Sequence, residues 1–218
     1  MNVDLKKYSD YANEYLQAVS EGPPLTELDE ALIGLAVCIS PSVLDMPASE
    51  ILMHRALDLG ATAAQVHETL VLVSGLGVHT LMIGSPALKS VLLERGDNSI
   101  SEPLDSAQQQ LWARYVGDDP FWANMEREVP GFLEALLRQS PDAFEAFFQY
   151  CAVPWKTGAL RAYLKELISL AVDACPGHRF SPGFRLHLIN AVHLGVGRNA
   201  ILRTLAIAAN SPTHKGVE

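Results

Sequence analysis

Glu166 and His187 are of residue types that exchange protons, and they lie in a mostly apolar stretch of the chain. The residues that follow Glu166, LISLAV at 167–172, predict burial, which disfavours a charged carboxylate. An imidazole beside the carboxylate would offset that cost and form a group that transfers protons near neutral pH. The sequence therefore predicts a proton-transferring pair, provided that a turn brings the two side chains together.

The same residues also allow a structural interpretation. A lone His on an apolar helix is often a satisfied core residue, and Glu166 could pair outward with Lys165 or Arg161. Ala191 and Gly195 follow His187 at steps of four residues, which leaves room for a ligand or for a close neighbouring helix.

The elements that must position the pair occur twice in the chain. An offset of 135 aligns Leu28–His79 with Tyr163–His214 without a gap, and thirteen of the fifty-two pairs are identical. Identities at two prolines and at the helix-ending glycine indicate duplication of one supersecondary unit. Ala31 and Leu52 occupy the positions of Glu166 and His187 in the first copy. Packing alone therefore does not demand the polar pair.

Helical periodicity, capping residues and prolines at helix starts recur along the chain and predict an all-α fold. The repeated unit is a helix, a proline turn, a second helix, a glycine and a third helix. Residues 80–106 are predicted to be irregular, with one short helix near Ala87–Glu94. We expect a first repeat at 1–95, a helical connector at 96–154 and a second repeat at 155–218.

Composition narrows the classes of partner. A net charge of −9 and a pI near 5.2 argue against nucleic acid and against an anionic membrane surface. The start of the chain lacks the apolar segment of a secretory signal, so a soluble cytoplasmic protein is expected. Helices that are apolar on more than one face predict a homo-oligomer.

The remaining titratable residues show no metal-binding or cofactor-binding pattern. Cys38, Cys151 and Cys175 form no CxxC pair, and the histidines lack HExxH spacing, so we expect neither a metal nor a cofactor. His79 and His214 follow predicted helix ends, where a His can hydrogen-bond the last carbonyls. His214 is kept as a second candidate for substrate binding.

Two segments resemble the carboxymuconolactone decarboxylase family, which includes the alkylhydroperoxidase D-like proteins. They are KELISLAV at 165–172 and RLHLINAVHLGV at 185–196, with a Glu in the first helix and His-x3-Ala-x3-Gly in the second. The resemblance implies an all-helical, oligomeric protein in which two tandem repeats are similar to two fused subunits.

The two branches of that family imply different chemistry. The peroxidase branch carries CxxCxxxH, whereas Phe180 and Gly183 stand at those cysteine positions here, so thiol–disulfide exchange lacks its nucleophile. Resemblance to the decarboxylase branch implies that His187 is a general acid or base and that Glu166 orients it. Arg185 is a candidate for binding the carboxylate of a small unsaturated acid or lactone.

Two further hypotheses stay open from the sequence. The chain could be a non-enzymatic helical assembly module with a vestigial ligand pocket. It could also be a divergent peroxidase-like protein, for which a redox-active Cys175 would be required.

Overall fold

The computed structural model describes residues 3–217, with side chains from residue 5 onward, and within this range it contains helices and turns but no β-strand. The predicted all-α class with two tandem helical repeats is confirmed. The chain begins with α1 (Val3–Tyr15), and a short 3-10 turn (Leu16–Ala18) follows it. The first repeat consists of α2 (Glu27–Ile39), α3 (Met46–Asp58) and α4 (Ala63–Ser74).

The middle of the chain is helical, as predicted for the connector, and its first helix is longer than the sequence predicts. Its helices are α5 (His79–Glu94), α6 (Ser106–Tyr115), α7 (Pro120–Glu128), α8 (Phe132–Gln139) and α9 (Pro141–Cys151). The predicted short helix near 87–94 is therefore wrong in extent. Pro86 lies inside α5, where it removes one backbone donor without ending the helix.

The second repeat has the same helix boundaries as the first. After the single turn α10 (Val153–Lys156) come α11 (Ala162–Ala174), α12 (Ser181–His193) and α13 (Arg198–Ala209). Each begins and ends 135 positions after its counterpart among α2, α3 and α4. The duplication predicted from the sequence therefore extends to every helix end of the unit.

The proline turns of the two copies also share an unusual backbone conformation. Leu44 and Arg179, which are equivalent, both have positive φ, at 47° and 53°. In each copy the next amide donates back to the carbonyl near the end of the preceding helix, from Asp45 to Cys38 and from Phe180 to Asp173, both at 2.9 Å. Non-glycine residues rarely adopt this conformation, so its recurrence marks the turn as part of the duplicated design.

The described structure divides into two compact units. One comprises residues 1–76 and 154–218 and contains both repeats, and the other comprises residues 77–153. Residues 77–95, which were expected in the first repeat, lie in the second of these units. In the repeat unit α2 packs against α11, and each of them also packs against the third helix of the other copy. The core therefore joins the two copies.

The unit formed by residues 77–153 has an aromatic core of its own. Phe144, Phe147 and Phe148 lie on one face of α9 and are buried, as their spacing predicts. Trp122 contacts Phe148 edge-on with ring centroids 4.8 Å apart, and Phe132 contacts Phe147 at 5.3 Å. These contacts join α7 and α8 to α9 and give this unit its aromatic core.

Ala63–Glu94 is long and apolar enough to cross a membrane by length and composition. Core helices of water-soluble proteins can be equally long and apolar, so no membrane-spanning role follows from this property.

Candidate active site

Glu166 and His187 lie in contact across the hairpin of α11 and α12. Nδ1 of His187 is 2.6 Å from Oε2 of Glu166, a distance typical of a charge-assisted hydrogen bond. The other carboxylate oxygen accepts from the Asn190 side chain at 3.3 Å. Because His187 and Asn190 are three residues apart on one helix, they present both donors to the same carboxylate. The structure therefore brings together the pair that the sequence singled out.

Opposing influences act on the His187 imidazole. Burial lowers its pKa, but the hydrogen bond to Glu166, the charge of Glu166 and, when ionised, that of Asp173 raise it, and the net pKa lies above its usual value. The His187 side chain is 14% exposed, so the ring is largely shielded from solvent. The imidazolium form accordingly persists to a higher pH than that of a free histidine. Since Nδ1 is directed at Glu166, Nε2 is the nitrogen left for a reacting group.

Nε2 of His187 faces a second carboxyl group that sequence reasoning missed. Oδ2 of Asp173 lies 4.0 Å from it, and Oδ1 of Asp173 lies 3.5 Å from Nε2 of His178. The Asp173 side chain is fully buried, and burial raises its pKa although His178 and His187 act to lower it. The only sequence signal was a charged residue within LAVDAC, which near a helix end is unremarkable by itself.

Helix α1 covers the start of α12. The Tyr8 ring packs edge-on against Phe184 with centroids 4.6 Å apart, and its hydroxyl accepts a hydrogen bond from Ser181 at 3.0 Å. Burial raises the pKa of Tyr8, and Asp173 is near enough to add to that effect when it is ionised. Tyr8 therefore lies on the Asp173 side of the site, a location that its place in an amphipathic helix did not reveal.

The two predicted substrate-binding residues lie on α12 and in the segment after α13. Arg185 is two residues before His187 on α12, so the two side chains leave the helix about 200° apart. His214 is exposed in the segment after α13, where the next residue, Lys215, pairs with Asp45 at 2.8 Å. Lys215 also donates its backbone amide to Val43 at 2.9 Å, so this segment is anchored on the turn of the first copy. Their roles in binding remain predictions.

The corresponding position in the first copy is filled by hydrocarbon. Ala31 is buried, and a Cβ added to Gly34 would lie 3.4 Å from a methyl group of Leu52. Leu52 thus packs against α2 where His187 meets α11 in the second copy. The same hairpin is stable with either filling, so the acid–imidazole pair is not a requirement of the fold.

The thiols are unsuited to peroxide chemistry. Cys38 and Cys175 are buried and Cys151 is partly buried, and all three are free. Burial raises the pKa of Cys175 to about 12 and that of Cys151 to about 11. Since the thiolate is the nucleophile in dithiol exchange, neither cysteine is activated at neutral pH.

This site and fold define a class: an all-α protein with duplicated helical hairpins, one of which holds a buried acid–imidazole pair. A solved structure is similar to the chain over most of its length. It is a protein from Burkholderia xenovorans LB400 that is described as a gamma-carboxymuconolactone decarboxylase subunit. The two are 33% identical, with a TM-score of 0.73, and the alignment covers 93% of this chain and 77% of that one. This chain belongs to the carboxymuconolactone decarboxylase family. No family model matches it, and neither does a curated protein sequence.

Proposed function

We propose that this protein is a lyase or isomerase that uses His187 as a general acid or base on a small unsaturated carboxylate or lactone. The observation that carries the proposal is the contact of 2.6 Å between Glu166 and His187, in a hairpin whose duplicate does without it. Membership of the family supports a decarboxylation, and γ-carboxymuconolactone is the first substrate to test.

The chemistry needs one acid. As the bond between the ring carbon and the carboxylate breaks, CO₂ leaves and its bonding electrons remain on the conjugated lactone. The His187 imidazolium donates its Nε2 proton to the lactone carbon that carries the negative charge. This forms the C–H bond and leaves a neutral imidazole. Glu166 keeps the ring oriented through Nδ1 and favours the charged form, as the raised pKa of His187 requires. This step uses residues of the chain alone.

A homo-oligomer in the cytoplasm is part of the same proposal. Apolar residues are exposed along α5, among them Leu81, Ile83, Leu88, Val91 and Leu93. Exposed apolar side chains in this number are costly to leave in water, and a second copy of the chain would cover part of them. Native mass spectrometry tests the assembly, and Leu88→Asp is expected to lower the subunit number.

The enzyme proposal is tested by turnover. Purified protein is incubated with γ-carboxymuconolactone, and the release of CO₂ and the loss of substrate absorbance are followed. His187→Gln keeps a polar side chain but cannot carry the proton, and it is expected to lower kcat by about 10²- to 10⁴-fold. His193→Gln, an exposed position on the same helix, is the matched control and should retain activity. Equal activity in the wild type and in His187→Gln would refute the assignment.

A further inference from the structure

Four titratable side chains of the repeat unit alternate between acid and imidazole. Glu166 meets Nδ1 of His187, Nε2 of His187 faces Asp173, and the other Asp173 oxygen faces His178, at 2.6, 4.0 and 3.5 Å. The Asp173 side chain is fully buried, whereas the His178 side chain at the end of the series is 23% exposed. The series therefore runs from the buried pair to the protein surface.

The Asp173 carboxyl group is not explained by the fold alone. Phe180, the residue before α12, makes no side-chain cap, whereas Asp45 at the equivalent position caps α3. Asp173 packs against Gly183 in the first turn of α12, where an added Cβ would overlap Oδ2. A capping carboxylate is held ionised, so its pKa falls. The pKa of Asp173 is raised instead, with burial as the largest cause. A neutral acid that can carry a proton fits this environment better than a cap.

We propose that Asp173 and His178 are positioning residues for His187 and form a proton path between its Nε2 and solvent. This inference rests on the proposed function, because a His187 that gives up its proton must regain one. His178 takes a proton from water at Nδ1 and passes its Nε2 proton to Oδ1 of Asp173. Asp173 in turn passes the proton on Oδ2 to Nε2 of His187. One proton moves from solvent to His187. Rotation of the carboxyl group about Cβ–Cγ restores Asp173, and His178, left with its proton on Nδ1, regains its Nε2 proton by exchange with water at its partly exposed ring.

The distances allow such a path with little movement. The contact of 4.0 Å between His187 and Asp173 is too long for a direct hydrogen bond. One water that makes two hydrogen bonds of about 2.8 Å, at an angle near 90°, spans that distance. Contacts of catalytic groups also commonly shorten when substrate binds. The separation of Asp173 from His178 needs a shift of only a few tenths of an ångström.

The test follows the exchange of the His187 imidazole proton with water by NMR, in protein labelled with ¹⁵N at histidine. The variants are Asp173→Asn, which keeps the size and a hydrogen-bond acceptor, and His178→Gln at the partly exposed end. His193→Gln is the control. We expect exchange to slow by about tenfold or more in both variants and to stay unchanged in the control. In His178→Ala, imidazole added to the buffer should restore fast exchange, whereas Asp173→Asn should not respond to it.

Unchanged exchange in both variants would overturn the proposal, and so would slowing in Asp173→Asn without slowing in His178→Gln. If Asp173→Asn fails to fold, the His178 variants and the imidazole rescue decide the question by themselves. The measurement uses no substrate, so a protein that fails to turn over γ-carboxymuconolactone can still confirm or refute the path. An active enzyme with no change in exchange would refute the path and leave the proposed function standing.

Discussion

Lys165 forms a buried ion pair with Glu68 at 2.7 Å. Glu30, the equivalent of Lys165 in the first copy, pairs at 2.7 Å with Arg203, the equivalent of Glu68 in the second copy, so the charges are reversed. Position 165 is 135 residues after 30, and position 203 is 135 residues after 68. Two equivalent contacts related by exchange of the partners are the mark of a two-fold relation, as in a symmetric dimer. The two copies therefore pack as a pseudo-symmetric pair within one chain.

The reversal of charge has a consequence for pairing. The first copy contributes Glu30 and Glu68, and the second contributes Lys165 and Arg203. Two first copies packed in this way would place Glu against Glu, and two second copies would place Lys against Arg. Like charges that face each other at such contacts disfavour the wrong partner. The arrangement thus favours the pairing of unlike copies.

The first prediction concerns the depth of these two ion pairs. Lys165 and Glu68 are 4% and 5% exposed, and Lys165 also donates to the carbonyls of Pro154 and Thr157. Lys165→Met leaves the Glu68 carboxylate buried without its partner, so we expect a loss of about 3–5 kcal/mol in the free energy of unfolding. The matched variant, Arg203→Met, affects an exposed pair and should cost about 1 kcal/mol or less. Urea unfolding followed by circular dichroism gives both values. Similar costs for the two variants would contradict the expectation that the buried pair contributes more to stability than the exposed one.

The main pair of the site could be predicted from the sequence because the two copies of the repeat can be compared with each other. The contrast of Glu166 and His187 with Ala31 and Leu52 separated chemistry from packing, and the helix hairpin follows from the turn at Pro176. Asp173 was missed because its partner, His178, lies within the turn itself, next to the positive φ at Arg179, where no helical period relates the two side chains. Such a contact depends on turn geometry rather than on periodicity.

The extent of α5 was missed for a different reason. Gly84 and Pro86 are turn residues by propensity, yet α5 continues through both. A proline inside a helix removes one hydrogen bond, and tertiary packing can offset that loss. Contacts of α5 with α8 include the pair Lys89–Glu134 at 3.2 Å and a hydrogen bond from Gln139 to Ser85 at 2.7 Å. These partners lie some 45 to 54 residues away, beyond the reach of a local pattern.

Thiol reactivity is the subject of the second prediction. Burial raises the pKa of Cys175 to about 12, and the Asp173 charge acts in the same direction. We expect Cys175 and Cys38 of the folded protein to react with a disulfide reagent only on unfolding. We also expect Cys175→Ser to leave any consumption of peroxide unchanged. Rapid labelling of Cys175 in the native state, located by mass spectrometry, would revive the peroxidase hypothesis.

A third prediction compares equivalent positions in the two copies. Gly183 lies against Asp173, whereas its counterpart Ala48 in α3 already carries a Cβ. Gly→Ala in a helix usually stabilises, but in Gly183→Ala the new methyl must displace a buried carboxyl group. We expect a loss of about 1–3 kcal/mol in the free energy of unfolding. The reverse change, Ala48→Gly, should cost about 1 kcal/mol or less. Gly183→Ala should also alter the NMR shifts of the His178 ring, and a stabilised variant with unchanged shifts would contradict the close packing of Asp173.

The buried carboxyl group of Asp173 gives a fourth prediction, for stability against pH. Its folded pKa is raised above the value of the unfolded chain. Ionisation of the buried carboxyl group therefore lowers the free energy of unfolding. This loss is absent below the unfolded pKa of about 3.9 and grows as pH rises through the folded pKa. Asp173→Asn removes that loss, so its unfolding free energy should exceed that of the wild type by about 1–3 kcal/mol near pH 7 and by little near pH 4. A variant less stable than the wild type at neutral pH would show that Asp173 is ionised and well compensated in the folded protein.

The fifth prediction concerns Glu166 as the group that sets the acidity of His187. The hydrogen bond and charge of Glu166 act against burial to raise the pKa of His187. Glu166→Gln keeps a hydrogen-bond acceptor but removes the charge, so the pKa of His187 should fall and the imidazolium should be lost at a lower pH. If the imidazolium is the proton donor, the alkaline limb of the kcat profile with γ-carboxymuconolactone moves to lower pH. The same shift should be seen in the NMR titration of His187, which requires no turnover.

Glu27→Gln, which changes an exposed acid in the first turn of α2, is the control and should leave both measurements unchanged. A His187 titration that does not move in Glu166→Gln would mean that the contact of 2.6 Å orients the ring without setting its charge.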